Sequence, residues 1–250
     1  MSNNYFGSTF FGVARRNDFV SAVHSLLNSL RPEWQRGVFA GDNLITFGKN
    51  LSFRFDQPFM KALAEHASDG VEKSIIWRTA ILVWAARNGL RREGDFVECG
   101  CYRGTSSRII CDAVEFNRTD RTFYLYDIFD YPDGSTHTKM PGMGPQLYDE
   151  VCRKFETIPR SRVIKGKVPE ILTSDSPDRI AFLHIDMNNV AAEIGALDLL
   201  FERVTPGGMI VLDDYGYLPY RAQRDAERQW FAERGYDVME LPTGQGLVIK

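Results

Sequence analysis

The sequence predicts an α/β fold: a mostly parallel seven-stranded sheet with crossover helices, an antiparallel C-terminal hairpin and a mainly helical N-terminal extension. Three observations carry this. From Phe96 onward short apolar runs alternate with amphipathic segments, the pattern of buried parallel strands joined by helices. The run DFVECGCYRGTSSRII, residues 95–110, reads as a buried strand, a glycine-punctuated turn and a helix opened by Thr105-Ser106-Ser107. The last two strands are joined only by Pro242-Thr243-Gly244-Gln245-Gly246, too short for anything but an antiparallel return.

The strands are expected at 96–99, 122–126, 161–165, 180–185, 209–212, 236–241 and 247–249. Helices are expected near 106–116, 144–155, 168–172, 191–204 and 221–234. Ahead of them, residues 1–17 are polar and aromatic, with Tyr5, Phe6, Phe10 and Phe11, and read as an arm that orders against a partner subunit or a ligand. Helical spacing predicts a helix over 18–30, ended by Pro32. The alternating runs 44–47 and 51–55 are expected to pair as a hairpin. A short helix over 58–67 and a longer one over 71–88, stopped by Gly89, complete the extension. The division is therefore an accessory segment at 1–92 and a main domain at 93–250, with the last accessory helix packing on the sheet.

With 250 residues, 44% of them hydrophobic and 25% charged, the chain supports a core of ordinary size. A net charge of −3 without blocks of like charge argues against nucleic-acid binding driven by charge. The four cysteines, Cys99, Cys101, Cys111 and Cys152, form no C-x-x-C pair, so they read as reduced thiols rather than zinc ligands. No apolar run is long enough to span a bilayer, and none at the N-terminus fits a signal peptide, which leaves a cytoplasmic protein without membrane association as the expectation.

The turn after the first core strand has the form E-x-G-x-x-x-G, Glu98 to Gly104. Glycine lets backbone approach a ligand closely and tolerates positive φ. A dinucleotide fingerprint has a different glycine spacing and places a pyrophosphate at the helix start, where Glu98 would repel it. A ligand carrying cationic groups suits this turn better, and S-adenosylmethionine, with its ammonium and sulfonium, is the candidate. Chemistry in such sheets collects at the carboxyl ends of the strands. Those ends carry Glu98, Asp127, Asp186 and the pair Asp213-Asp214. Asp127 is placed to accept ribose hydroxyls. Single strand-end acids are often helix caps, but several in one crevice repel one another and call for a cation. Hard oxygen ligands at Asp186, Asp213 and Asp214 select Mg²⁺ or Ca²⁺.

Residues 94–104, GDFVECGCYRG, resemble the GDFVETGVWRGG stretch of the macrocin O-methyltransferase (TylF-type) family. YDIFDYP at 126–132 is similar to that family's ADSFEGLP, and Ile164-Lys165-Gly166 to its third-strand motif. LHID at 183–186, PGG at 206–208 and DDYG at 213–216 are similar to LRLDGD, spGG and DDYG, in the same order. The resemblance spans about residues 94–230. It implies a Rossmann-like methyltransferase that uses S-adenosylmethionine and Mg²⁺ to methylate a hydroxyl, typically on a sugar. It also implies roles for individual residues. Glu98, Gly100, Tyr102, Gly104, Thr105 and Ser106 would hold the methionine part, Asp127 the ribose, and Gly166 and Lys167 would flank the adenine. Asp186, Asp213 and Asp214 would take the metal. Apart from the resemblance, Asp186 is expected beside both the cofactor and the acceptor proton, which a neighbouring carboxylate can take. Where the family has D-G-D-x-Y, this chain reads Asp186-Met187-Asn188-Asn189-Val190, which leaves the acceptor open.

His137, in the Gly/Pro-rich stretch 133–146, is a second candidate base, with a solvated loop histidine as the plainer reading. Tyr215 and Tyr217 read either as walls of an acceptor pocket or as packing. The expected partner is a small-molecule hydroxyl acceptor, and self-association through the arm is an open alternative. Rival readings are an NAD-type oxidoreductase, a metal-dependent catechol-type methyltransferase, and a S-adenosylmethionine-binding protein without turnover.

Overall fold

A computed structural model describes residues 3–131 and 139–250. In chain order the elements are β1 (Tyr5–Phe6), α1 (Arg16–Asn28), β2 (Phe39–Gly41), β3 (Leu44–Thr46), α2 (Gln57–His66), α3 (Gly70–Ser74), α4 (Ile76–Gly89), β4 (Asp95–Cys99) and α5 (Thr105–Ala113). They continue with β5 (Phe123–Asp127), α6 (Leu147–Phe155), β6 (Ser161–Lys165), β7 (Ile180–Ile185), α7 (Val190–Leu200), β8 (Val204–Leu212), α8 (Arg221–Ala232), β9 (Met239–Glu240) and β10 (Gly246–Ile249).

The main sheet has the order β6-β5-β4-β7-β8-β10-β9. Pairings from β6 through β8 are parallel, and β10 is antiparallel to both β8 and β9. Sequence order runs outward in both directions from β4, so the switch point lies between β4 and β7. A ligand crevice is expected outside the carboxyl ends at that point.

The pleat divides the core in two, because successive side chains point to opposite faces. Phe96, Phe123, Leu125, Phe182, Met209 and Val211 face the layer of α2, α4, α5 and α6. Val97, Tyr126, Leu183, Ile185, Ile210 and Leu212 face the layer of α7 and α8. Phe96 is central, with the rings of Phe116, Phe123 and Phe182 centred 5.2–5.6 Å from its own.

The strands of the main domain fall where apolar patterning placed them, with two exceptions. β8 extends back to Val204, and β9 is only two residues long. Residues 168–172 form no α-helix, only a 3₁₀ turn at Glu170–Thr173. The N-terminal extension departs further. The hairpin is β2–β3, not 44–47 with 51–55. Its turn is Asp42-Asn43, both with positive φ (51° and 57°), a conformation that Asp and Asn tolerate best among non-glycine residues. Ser52–Phe55 is a 3₁₀ turn that delivers Phe53 to Phe39, Phe59 and Trp77. The helix expected over 71–88 is broken into α3 and α4 at Ile75.

The arm orders on its own chain: β1 pairs parallel with β2, so the extension holds a small three-stranded sheet beside its helices. Helix α4 packs across β7 and β8, which joins the extension to the main sheet. Among the described residues no helix is long and apolar enough to cross a membrane.

Phe182→Ala is expected to destabilise the protein by about 3–5 kcal/mol, the range for truncating a fully buried aromatic. Urea denaturation reads this as a fall in midpoint at unchanged slope.

Candidate active site

The first loop of the site begins where β4 ends. Gly100 (φ +92°) lies so close to the next strand that a Cβ there would sit 1.8 Å from the carbonyl oxygen of Asp186. Only glycine permits both that φ and that approach. Asp186 N–H donates to the Cys99 carbonyl at 2.8 Å, so the β4 and β7 ends are stitched together at the switch point. Tyr102 also has positive φ (47°), held by its N–H donating to Asp127 Oδ2 at 2.7 Å. Its hydroxyl donates to the Pro141 carbonyl.

Asp127, at the end of β5, accepts from Tyr102 and, through Oδ1, from Phe129 N–H at 2.7 Å. Burial raises its pKa, against the lowering effect of these two backbone donors. Gly166 N–H donates to the Asp127 carbonyl at 3.0 Å. Gly100, Tyr102, Asp127 and Gly166 thus line one end of the sheet. Lys167 instead turns to Glu170 on the surface, at 3.3 Å. Gly104 (φ +64°) packs against Phe155 and Val151. Thr105 Oγ1 donates to Glu72 at 2.7 Å and lies 3.1 Å from Lys154 Nζ, which ties α3 and α6 to the start of α5. Ser106 follows it in the first turn of α5.

Glu98 faces inward. It is 3% exposed and accepts from Ser107 Oγ through Oε2 and from His184 Nδ1, 2.8 Å away, through Oε1. His184 Nε2 stands 3.6 Å from Asp213 Oδ1, an ion-pair distance rather than a hydrogen bond. Burial alone would lower the His184 pKa, but Asp213 and Glu98 outweigh it and push it up to about 10. The two carboxylates that flank His184 thus favour its protonated form.

The parallel register of β7 and β8 pairs Ile185 with Leu212, so the next residues, Asp186 and Asp213, lie side by side. Asp186, Asp213 and Asp214 bring one carboxylate oxygen each to within 4.8 Å of the others. Burial raises Asp186 far above the usual carboxylate range, and Asp213 and Asp214 raise it further. Burial would also raise Asp213, yet Arg78 and His184 hold it well below that range. Asp214 is pushed up to about 6 by burial and by Asp213, against the opposing Arg78. This donor set fits a hard divalent cation: three hard oxygens, with Asp186 destabilised as an anion by its neighbours.

Five residues of this end carry no motif in the sequence. Arg78 of α4 and Asp42 of the β2–β3 turn form a buried ion pair that reaches Asp213 and Asp214. The available signal was a lone arginine inside the apolar run IWRTAILVW. Gln245, in the β9–β10 turn, donates to Asp213 Oδ1 at 2.9 Å. Glu193 of α7 accepts from the N–H groups of Met187 and Asn188 at 3.0 and 2.9 Å, which fixes the loop after Asp186. Its carboxyl lies against that of Glu227 from α8. Tyr215 is core, whereas the Tyr217 ring covers Arg78. Burial first, then the nearby charges of Asp214 and Asp186, push the Tyr220 pKa up to about 12. His137 lies outside the described residues.

Two other features are not this site. A cavity of about 420 Å³ lined by Asp95, Tyr124, Asp178 and Arg179 opens at the amino ends of the strands. Glu65, His66 and Asp112 gather on α2 and α5, where Asp112 pairs with His66 at 2.6 Å and with Arg108 at 3.2 Å.

Residues 97–215 match the family model described as a methyltransferase domain. No curated protein sequence matches the chain. Among solved structures, the O-methyltransferase NovP superposes with a TM-score of 0.62 at 20% identity, covering 80% of this chain and 99% of NovP. CalS11, a TDP-rhamnose 3′-O-methyltransferase of calicheamicin biosynthesis, gives 0.55 at 16% identity, covering 82% and 96%. The S-adenosylhomocysteine-bound Podospora anserina methyltransferase PaMTH1 gives 0.52 at 14%, covering 83% and 97%. These neighbours share the fold, and the domain match over residues 97–215 supports an S-adenosylmethionine-dependent methyltransferase.

The Glu193–Glu227 pair has a consequence for stability against pH. Burial pushes Glu227 up to about 7, against an unfolded value near 4.5. At this group the folded state binds more protons than the unfolded one, so its contribution to stability is fullest below about pH 4.5 and is lost as pH rises through 7. Glu227→Gln is expected to flatten that slope in urea denaturation at pH 5 to 8. An unchanged slope would place the proton elsewhere.

Proposed function

We propose that the chain is an O-methyltransferase of the macrocin type, which transfers the methyl group of S-adenosylmethionine to a hydroxyl of a sugar or glycosylated natural product, in the cytoplasm and with Mg²⁺ or another hard divalent cation. The observation that carries this reading is the gathering of Asp186, Asp213 and Asp214 within 4.8 Å beside the Gly100 turn. The activity of CalS11 on TDP-rhamnose supports the acceptor class. In this reading residues 93–250 carry the chemistry and residues 1–92 close the site through Asp42 and Arg78.

The residues divide the work as follows. Gly100 and Tyr102 leave backbone free to approach the methionine end of the cofactor. Glu98 sets that loop from below, through Ser107 and His184, rather than by touching the ligand. Asp127 keeps lone pairs for the ribose hydroxyls, and Gly166 borders the adenine. Asp186, Asp213 and Asp214 would hold the divalent ion, which when bound supplies a positive charge that positions the acceptor hydroxyl and lowers its pKa. The acceptor oxygen forms its bond to the methyl carbon as the carbon–sulfur bond breaks, and the hydroxyl proton passes to Asp186. Alignment of the reacting atoms supplies much of the remaining acceleration.

Asp186→Ala is expected to lower methyl transfer to a nucleotide-linked sugar by about a hundredfold or more, with S-adenosylhomocysteine binding by calorimetry kept. Chelation with EDTA should abolish transfer and Mg²⁺ restore it. Full activity of D186A would remove the proton-accepting role, and full activity in EDTA would remove the metal.

A further inference from the structure

Arg78 is 9% exposed and stands between the extension and the acids of β8. Nε and Nη2 donate to the two oxygens of Asp42 at 2.7 and 2.8 Å. Nη1 donates to Asp213 Oδ2 at 2.8 Å and to Asp214 Oδ1 at 3.0 Å. The Tyr217 ring centroid lies 4.6 Å from the guanidinium carbon, and the Tyr217 hydroxyl donates to the Asp42 carbonyl at 3.1 Å. The planar fork is held on two edges and one face, so it has a single position.

Two of the three acids that form the proposed ion site are therefore already bridged by a permanent cation. Guanidinium and divalent ion would share the same carboxylates, and like charges at short range in a buried site oppose one another. We propose that Arg78 is the internal counter-cation of this cluster, a positioning residue that holds Asp213 and Asp214 together when no ion is bound and weakens the binding of a divalent ion to them. Asp42 sets the balance, because its bidentate grip draws the guanidinium to the side of the extension. This rests on the reading that the three acids take a hard divalent ion.

The test is Mn²⁺ binding to the full-length protein, followed by the electron paramagnetic resonance of the free ion, with thermal unfolding in parallel. R78M is expected to bind Mn²⁺ roughly tenfold tighter than wild type. It should also unfold at lower temperature without the ion and gain more from Mn²⁺ than wild type does. R78K keeps the charge and should stay near the wild-type affinity. D42N releases the guanidinium toward the acids and should bind Mn²⁺ several-fold more weakly. Binding of S-adenosylhomocysteine shows that each variant is folded. If wild type binds Mn²⁺ and R78M binds it equally or more weakly, Arg78 merely shapes the pocket and the inference is overturned while the metal reading stands. If neither wild type nor R78M binds Mn²⁺, the metal reading itself fails.

Discussion

Everything at the carboxyl end of this sheet answers to one constraint: several acids occupy a space from which most water has been removed. Glu98, Asp42, Asp186, Asp213 and Asp214 meet there, against the cations Arg78 and His184. Charge buried without partners is among the costliest things a fold can contain. The structure answers by placing each cation between two carboxylate groups, His184 between Glu98 and Asp213, and Arg78 between Asp42 and the β8 pair. Asp186 and Asp214 are left with raised proton affinity, and Asp186 is the one beside the Gly100 turn.

Much of this was legible in advance because sheets obey short-range rules. The strands β5, β6 and β7 are apolar runs bounded by turn residues, and their ends announce Asp127 and Asp186 directly. Once β7 and β8 are neighbours in parallel register, Asp186 and Asp213 must be adjacent, so a pattern of strand-end acids becomes a statement about space. Glu98 reads correctly as a strand-end acid, but its inward partners, Ser107 and His184, come from a helix and a strand that only the tertiary structure brings together.

What stayed hidden depended on long-range pairing. Arg78 lies within a helix whose other residues are mostly apolar, and its partners are 36 and 135 positions away along the chain. No local pattern encodes such a contact. The extension misled for a related reason. The run at 51–55 alternates as a strand would, but Phe53 is claimed by an aromatic cluster with Phe39, Phe59 and Trp77, and packing overrode the local preference. The turn that replaced it, Asp42-Asn43, is short and polar, and its importance comes from where Asp42 points.

The separation of those partners along the chain also orders their assembly. Asp42 and Arg78 leave the ribosome well before Asp213, and Gln245 comes last of all. The Asp42–Arg78 pair can therefore form before the β8 acids are made, whereas the burial of Arg78 waits for β7 and β8, on which α4 packs. Completion of the last hairpin then delivers Gln245 to Asp213, so the acid cluster gains its last hydrogen-bond donor only when the chain is nearly finished.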